Sequence, residues 1–210
     1  MDNTRTPVLY IVGNYNIDLV MGTLTHWPAQ GTEMMLEHSA LRPGGSAGNC
    51  ALAAAAMQLP HCAVGCQGDD AFTPWLAAQF PGGSARWPQY PCETSLTVAI
   101  THPNKERSFL SNHGHITRLT AGDVLSQLPA AAGEGDIVLL CGTFLCTGLL
   151  SDYPQLLATL RQRGFTLAVD TGWPPQGWSD PLRHEVDRWL GDCDWLLLND
   201  VETLQLVGHP

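Results

Sequence analysis

Short apolar runs alternate with segments of helical periodicity along most of the chain. The predicted strands are VLYIVG (8–13), CAVGC (62–66), DIVLLCG (136–142), FTLAVD (165–170) and DWLLLND (194–200). The predicted helices lie in GNCALAAAAMQL (48–59), DAFTPWLAAQF (70–80), YPQLLATLRQRG (153–164) and LRHEVDRWLG (182–191). Because buried strands that alternate with helices form βαβ units, we predict an α/β fold, a mainly parallel sheet with helices on both faces.

Two segments break this alternation. TEMMLEHSALR (32–42) and residues 94–114 show short apolar/polar alternation, with turn residues at Pro103 and Asn104. This pattern favours antiparallel strands over a crossover helix, so we predict a small β subdomain on the main sheet. NDVETLQLVGHP (199–210) predicts the start of a helix, and we expect the sheet to be incomplete at Pro210. The whole chain, 1–210, is therefore interpreted as one incomplete α/β domain.

Composition narrows the class of protein. Of the 210 residues, 44% are apolar and 14% are charged, which is typical of a globular protein. Ten basic residues oppose 20 acidic ones and form no cluster, so nucleic acid is not expected as a partner. Polar residues interrupt the apolar N-terminal stretch before it could span a membrane, and no basic leader precedes it. We expect a cytoplasmic protein without a membrane partner.

The chain contains seven cysteines, an odd number without a regular spacing. Most lie inside apolar runs, which favours reduced thiols in the core. Two groups could be considered as metal ligands, namely His61 with Cys62 and Cys66, and His113 with His115. Neither group is accompanied by a second pair at zinc-like spacing, so a metal site is not predicted from them.

Asn14, Asn16 and Asp18 follow the first predicted strand at alternate positions. Ligands of open α/β sheets bind beyond the carboxyl ends of strands, and alternate positions of an extended segment share one side. A carboxylate there could accept hydrogen bonds from two hydroxyl groups, which suits a polyol. The alternative is that these residues only form a turn, for which Asn and Asp are favoured.

The stretch RPGGSAGNCALAAAAM (42–57) places glycines directly before a helical pattern. Gly44 and Gly45 permit positive φ, Ser46 adds little bulk, and Asn49 begins the helical pattern. Small residues at a helix N-terminus leave N–H groups available to a hydroxyl or an anion. The segment fits neither the Walker A spacing nor GxGxxG after a strand, and a flexible joint remains the alternative.

Asn199 and Glu202 lie three positions apart at the start of the last predicted helix. At this spacing both side chains point to the same side, where they could hold the water shell of a Mg²⁺ ion. The alternative is structural, with Asn199 as the N-cap and Glu202 as its partner acid.

The order of these motifs resembles the ribokinase-like, or PfkB-type, family of ATP-dependent carbohydrate kinases. The resemblance includes VGNYNIDLV, Gly31-Thr32, PGGSAGNCALAAA, GCQGDDAF, the β flap, VDTGW and LNDVETLQLVG. It covers nearly the whole chain, in the family's order. It implies a ribokinase-like three-layer α/β/α fold and, for the complete enzyme, ATP, Mg²⁺ and a sugar or nucleoside substrate.

The resemblance also implies roles for individual residues. Asp18 and Asn16, next to Asn14, would bind sugar hydroxyls, and a loop of four residues would close the sugar pocket: Gly44, Gly45, Ser46 and Asn49. Asn199 and Glu202 would organise Mg²⁺ and phosphates indirectly. The strands near 32–42 and 94–114 would form a lid that excludes water, and a homodimer through this lid is a further expectation.

The chain departs from the family pattern at several positions. Ser46 stands where ribokinases carry a lysine, and VDTGWPP lacks the asparagine that commonly follows the strand aspartate, so the sugar class stays open. The family's GAGD loop, which carries the catalytic base, is absent and would lie downstream of Pro210; AAGEGD (131–136) is interpreted as a loop. We therefore expect no appreciable kinase activity from this chain alone. The alternatives are a non-catalytic sugar- or nucleoside-binding relative and an unstable truncated product.

Overall fold

The computed structural model of the chain describes residues 5–207. The strands are β1 (Leu9–Gly13), β2 (Asn16–Gly22), β3 (His38–Gly44), β4 (His61–Val64), β5 (Leu96–Thr101), β6 (Arg107–Ser111), β7 (Ile137–Cys141), β8 (Thr166–Asp170) and β9 (Trp195–Leu196). The helices are α1 (Ser46–Ala56), α2 (Thr73–Ala78), α3 (Ala121–Gln127), α4 (Thr147–Leu150), α5 (Tyr153–Gln162), α6 (Asp180–Leu190) and α7 (Asp200–Val207). The predicted strands of the main sheet and the helices between them are present, whereas α3 and α4 were not predicted.

The main sheet has five parallel strands in the order β4-β1-β7-β8-β9. Its strands are rich in Val, Ile and Leu, as expected for strands that are covered on both faces. The carboxyl ends of β1, β7 and β8 therefore meet at one edge of the sheet. The predicted α/β class with a mainly parallel sheet is confirmed.

Alternate residues of the main sheet face two separate cores. On one side, Val12 and Leu140 belong to a cluster with side chains of α3, α5 and α6. On the other side, Ile11 and Leu139 belong to a cluster with alanines of α1 and with Leu76 of α2. Each large apolar side chain buried in this way contributes about 1.5–3 kcal/mol. Helices on both faces give the three-layer α/β/α arrangement.

A second sheet has four strands in the order β3-β2-β5-β6. The β2–β3 and β5–β6 pairs are antiparallel, but the β2–β5 pair is parallel, so the sheet is mixed where the sequence predicted antiparallel strands. β3 begins at His38, later than the predicted start of the strand at position 32. β2 is a full strand, whereas the sequence indicated only an extended segment around Asn16 and Asp18.

The last elements of the main sheet are short. β9 pairs with β8 over two residues only, although a strand was predicted across 194–200. The helix predicted within 199–210 is observed as α7, and positions 208–210 lie outside the described residues. Within the described part of the chain, no helix is long and apolar enough to cross a membrane.

Candidate functional site

Asn14, Asn16 and Asp18 form a continuous hydrogen-bonded row at the carboxyl end of β1. The Nδ2 group of Asn14 donates to Oδ1 of Asn16 at 3.4 Å, and Nδ2 of Asn16 donates to Oδ1 of Asp18 at 2.8 Å. Asn14 and Asn16 are buried and Asp18 is half-buried. The three side chains therefore share one side of the segment, as their alternate spacing predicted.

The Asp18 carboxylate lies in a partly desolvated position. Burial raises the pKa of Asp18, while the hydrogen bond from Asn16 and the positive charge of Arg107 on β6 oppose this shift. At neutral pH the group is a carboxylate whose remaining acceptor sites can take hydroxyl donors.

The glycine turn packs directly against this row. In the β2–β3 register, Gly44 lies opposite Asn16. A Cβ atom on Gly44 would overlap the Asp18 carboxylate, and one on Gly45 would overlap the Asn14 carbonyl and Oδ1 of Asn16. Gly45 also has φ +87°, which favours glycine. The turn therefore brings bare backbone up to the polar row, which a mere flexible joint would not require.

Helix α1 continues from this turn. The N–H of Gly48 donates to the Asn14 carbonyl at 3.3 Å, and the N–H of Asn49 donates to the Gly45 carbonyl at 2.8 Å. Ser46 is half-buried and the Asn49 side chain is exposed in the first turn of the helix. Ser46 and Asn49 thus lie in the first turn of the helix, directly after the glycine turn.

A cavity of about 240 Å³ opens beside Asn14 and Asn16. Its polar lining includes Asn14, Asn16, Thr97, Ser111 and Asn112. Its apolar lining includes Ile116, Phe144 and Leu145. Among the described residues, Oδ1 of Asn14 is one of the buried side-chain atoms without a hydrogen-bond partner. This mixed lining suits a small compound that carries hydroxyl groups.

A second cavity, of about 530 Å³, lies at the carboxyl end of β8. It is lined by Ser46, Asp170, Gly172, Trp173, Asn199 and Glu202. Burial raises the pKa of Asp170; the N–H of Gly172, which donates to this carboxylate, opposes the shift, and the charge of Glu202 adds to it. Sequence reasoning did not single out Asp170, although it lies in the quoted VDTGW motif.

Asn199 and Glu202 form a reciprocal cap at the start of α7. The N–H of Asn199 donates to Oε2 of Glu202 at 3.0 Å, and the N–H of Glu202 donates to Oδ1 of Asn199 at 2.8 Å. The structural alternative raised for this pair is therefore present in the fold. Within residues 5–207, no three His, Cys, Asp or Glu side chains are grouped as metal ligands.

The sequence matches the model of the pfkB family of carbohydrate kinases over residues 8–210. The chain belongs to the pfkB carbohydrate kinase family. No curated protein matches the sequence significantly.

Solved structures share the fold of this pfkB family chain. A fructokinase from Xylella fastidiosa with bound ATP has a TM-score of 0.73 and 18% identity, over 97% of this chain and 64% of its own. Ribokinase from Arabidopsis thaliana, complexed with ribose and ATP, has a TM-score of 0.70, 18% identity and the same two coverages, 97% and 64%. A nucleoside kinase from Methanocaldococcus jannaschii has a TM-score of 0.67 and 13% identity, over 98% of this chain and 65% of its own. The pfkB family chain thus spans less than two thirds of the length of these structures.

His115 holds the backbone at Tyr15, which lies between Asn14 and Asn16 of the polar row. Its Nδ1 accepts a hydrogen bond from the N–H of Ser95 at 3.0 Å, and its Nε2 donates to the carbonyl of Tyr15 at 3.0 Å. Burial lowers the pKa of His115 to about 4, so the ring is neutral at pH 7. His115 was considered from sequence only as a metal ligand, yet both of its nitrogens are engaged with backbone groups.

Proposed function

We propose that this chain carries the acceptor-binding part of a kinase that transfers phosphate from ATP to a hydroxyl group of a sugar or nucleoside. One observation carries the proposal, namely the row Asn14–Asn16–Asp18 packed against the bare backbone of Gly44 and Gly45. The family of the chain and the shared fold with ribokinase and fructokinase structures support it.

The acceptor binds through donors and acceptors of the chain itself. The Asp18 carboxylate accepts hydrogen bonds from adjacent hydroxyl groups, and Asn16 holds the carboxylate in place. Oδ1 of Asn14 accepts a further hydrogen bond, because it is buried beside the cavity without a partner within the described chain. Ser46 and Asn49 contribute polar groups at the start of α1.

Asp170, Asn199 and Glu202 fit the indirect binding of Mg²⁺. The three residues line one cavity together with Ser46. Mg²⁺ prefers oxygen ligands and keeps several of its water molecules when it binds to a protein. When bound with ATP, Mg²⁺ neutralises charge on the phosphates. Asp170 and Glu202 would orient the water shell, while Asn199 keeps Glu202 at the start of α7.

The second sheet acts as a lid over the acceptor. Thr97 and Ser111 belong to this sheet and line the cavity, and their hydroxyl groups lie 2.8 Å apart. A closed lid excludes water and prevents the hydrolysis of ATP. Leu41 and Leu110 expose 40% and 54% of their surface on the same sheet, which supports a homodimer through the lid. Analytical ultracentrifugation measures that association.

We propose that the 210-residue chain itself binds the acceptor but does not transfer phosphate to it. The sequence contains no GAGD motif, and phosphoryl transfer needs a group that orients the attacking hydroxyl. Thermal-shift screening against sugars and nucleosides tests the acceptor site, and a coupled assay of ATP consumption tests turnover. Failure of every sugar and nucleoside to raise the midpoint would contradict the acceptor site, and ATP consumption by this chain would contradict its inactivity.

A second candidate function is sugar or nucleoside binding without catalysis. The row Asn14–Asn16–Asp18 supports it as well, since these groups can bind hydroxyl groups whether or not phosphate is transferred. An assay of the protein encoded by the complete reading frame of the gene distinguishes the kinase from the non-catalytic relative. A phosphorylated acceptor indicates the kinase, and binding without product indicates the non-catalytic relative.

A further inference from the structure

Two thiols lie side by side under the helix that begins at the glycine turn. Cys50 of α1 and Cys141, the last residue of β7, have their Sγ atoms 3.8 Å apart, and both are free thiols. A disulfide has an S–S distance of about 2.05 Å, so the two sulfur atoms need to approach by roughly 1.8 Å. A shift of this size is within the range that a change of side-chain rotamer can supply.

The two thiols differ in burial and in acidity. Cys141 is 1% exposed, whereas Cys50 is half-buried and within reach of a small oxidant. The Cys141 thiol donates a hydrogen bond to Cys50, which lowers the pKa of Cys50 to about 7 against the opposing effects of burial and of the Asp170 charge. The hydrogen bond to Cys50 and burial together raise the pKa of Cys141. An accessible thiol therefore lies next to a protected second thiol.

Other cysteines of the chain have separate environments. Burial raises the pKa of Cys62, although the guanidinium of Arg86, which contacts the Cys62 sulfur at 2.6 Å, opposes this shift. The thiols of Cys66 and Cys193 donate to the carbonyls of His115 and Trp189. Burial raises the pKa of Cys66, Cys92, Cys146 and Cys193. These features favour oxidation at Cys50.

We propose that Cys50 and Cys141 are a modification site, which a hydroperoxide oxidises to a reversible disulfide. The Cys50 thiolate attacks one oxygen of hydrogen peroxide, the O–O bond breaks, and the released hydroxide takes up a proton to form water. Cys141 then attacks the sulfur of the resulting sulfenic acid, the S–S bond forms, and a second water leaves with the Cys141 proton. Two thiols lose two electrons and one peroxide gains them, and a dithiol reverses the reaction by exchange.

The bond would connect two elements of the candidate site. α1 begins directly after Gly45, and β7 ends directly before Gly142, where an added Cβ would overlap Oδ1 of Asn14. A Cys50–Cys141 bond spans 91 positions in sequence and ties this helix to this strand. Oxidation therefore reduces the freedom of α1 relative to the sheet.

Peroxide treatment of the full chain, followed by acid quenching and peptic digestion, tests the proposal. The expected product is one linked peptide pair that contains Cys50 and Cys141 and is lighter by two hydrogens than the separate peptides. The apparent thermal midpoint rises by roughly 5 °C or more, and dithiothreitol reverses both changes. Sulfinic acid at Cys50 without the link, or a link from Cys50 to another cysteine, would overturn the proposal.

Three variants control this experiment. Cys50→Ala and Cys141→Ala each remove the linked peptide and the rise in midpoint, whereas the matched control Cys193→Ala retains both. If Cys141→Ala does not fold, the peptide maps of the wild type and of Cys50→Ala are sufficient to test the proposal. Hydrogen exchange gives an independent measurement, because amides of α1 exchange more slowly in the oxidised chain. Unchanged exchange in a fully linked chain would refute the restraint on α1.

Discussion

Asp18 is the side chain on which the proposed recognition of hydroxyl groups mainly depends. It receives a hydrogen bond from Asn16, lies against Gly44 and remains half-buried, so its carboxylate is both oriented and accessible. A charged acceptor of this kind contributes more to binding than a neutral one, about 1.5–3 kcal/mol for each hydrogen bond.

Asp18→Asn should weaken binding of the stabilising sugar or nucleoside roughly ten- to a hundredfold, because the charged acceptor is lost. Isothermal titration calorimetry measures this change. Glu106→Gln is the matched control, since it removes the same charge from an exposed position near the same sheet and should leave the affinity unchanged. Equal affinities for wild type and Asp18→Asn would argue against the role of Asp18.

Binding should also depend on pH through Asp18. Burial raises the pKa of this carboxyl group above its ordinary value of 3.8, so the acceptor form is lost on acidification earlier than for an exposed aspartate. Affinity is expected to be full at neutral pH and to fall as the pH decreases through the raised pKa. Titrations at several pH values should show this fall in wild type and not in Asp18→Asn.

His115 should link folding stability to pH. Its pKa is about 4 in the fold because of burial, against an ordinary value of 6.5, so the unfolded chain binds more protons between these values. The contribution of the neutral ring to the free energy of unfolding is therefore complete above about pH 6.5 and is lost as the pH falls towards 4. Urea unfolding at pH 7 and pH 4.5 should show a larger loss for wild type than for His115→Gln, by up to about 3 kcal/mol. Equal losses in the two proteins would contradict this account of His115.

The glycine turn between β3 and α1 is the element that separates a ligand-binding loop from a flexible joint. At Gly45 two constraints act together, since φ is +87° and a Cβ would overlap groups of Asn14 and Asn16. Gly31 has a similar φ of +80° but no atom near its missing Cβ. The two glycines therefore share a positive φ, but only Gly45 has other atoms close to the position of its missing Cβ.

Gly45→Ala should destabilise the fold by about 1–3 kcal/mol more than Gly31→Ala, because only the first substitution displaces the polar row. Denaturant unfolding of both variants measures the difference. Gly45→Ala should also lose acceptor binding, whereas Gly31→Ala should retain it. Equal destabilisation by the two substitutions would mean that φ alone governs this turn.

The sequence predicted the long, regular elements better than the short ones. Strands β1, β7 and β8 and helices α1, α5 and α6 were identified because continuous apolar runs and helical periodicity are strong signals. Helix α3 was not identified, although Thr120 and Asp123 form a capping box that a T-x-x-D search would find. The length of β2 was not predicted, because its pairing with β3 and β5 depends on distant segments of the chain.

The candidate site was predictable where its residues are close in sequence. Alternate spacing placed Asn14, Asn16 and Asp18 on one side, and the small residues at 44–48 indicated a close approach. Thr97, Ser111 and Asp170 were not singled out, because they reach the cavities only through the topology of the two sheets. The contacts of His115 with Ser95 and Tyr15 likewise join segments that are far apart in sequence.

The whole molecule combines a rigid parallel sheet with a more exposed mixed sheet. β7 is buried at four of its five positions, whereas β6 has no fully buried residue. Exposed strands open locally at a lower free energy than core strands. This difference is what a lid on a stable scaffold requires.

Hydrogen exchange should therefore be faster in β6 than in β7 by several orders of magnitude in the free chain. A bound sugar or nucleoside should slow exchange in β5 and β6, since Thr97 and Ser111 line the cavity. Mass spectrometry of quenched samples measures both effects. Protection confined to the main sheet would contradict the proposed lid.

The most direct test of the proposed acceptor site is an amide chemical-shift titration of the ¹⁵N-labelled chain with the sugar or nucleoside that stabilises it most. We predict that the largest changes occur at Asn16, Asp18, Gly44, Gly45 and Ser111 and that they saturate with a single binding constant. Saturable changes centred on another region, or no saturable change with any sugar or nucleoside, would contradict the assignment of acceptor binding to the polar row and the glycine turn.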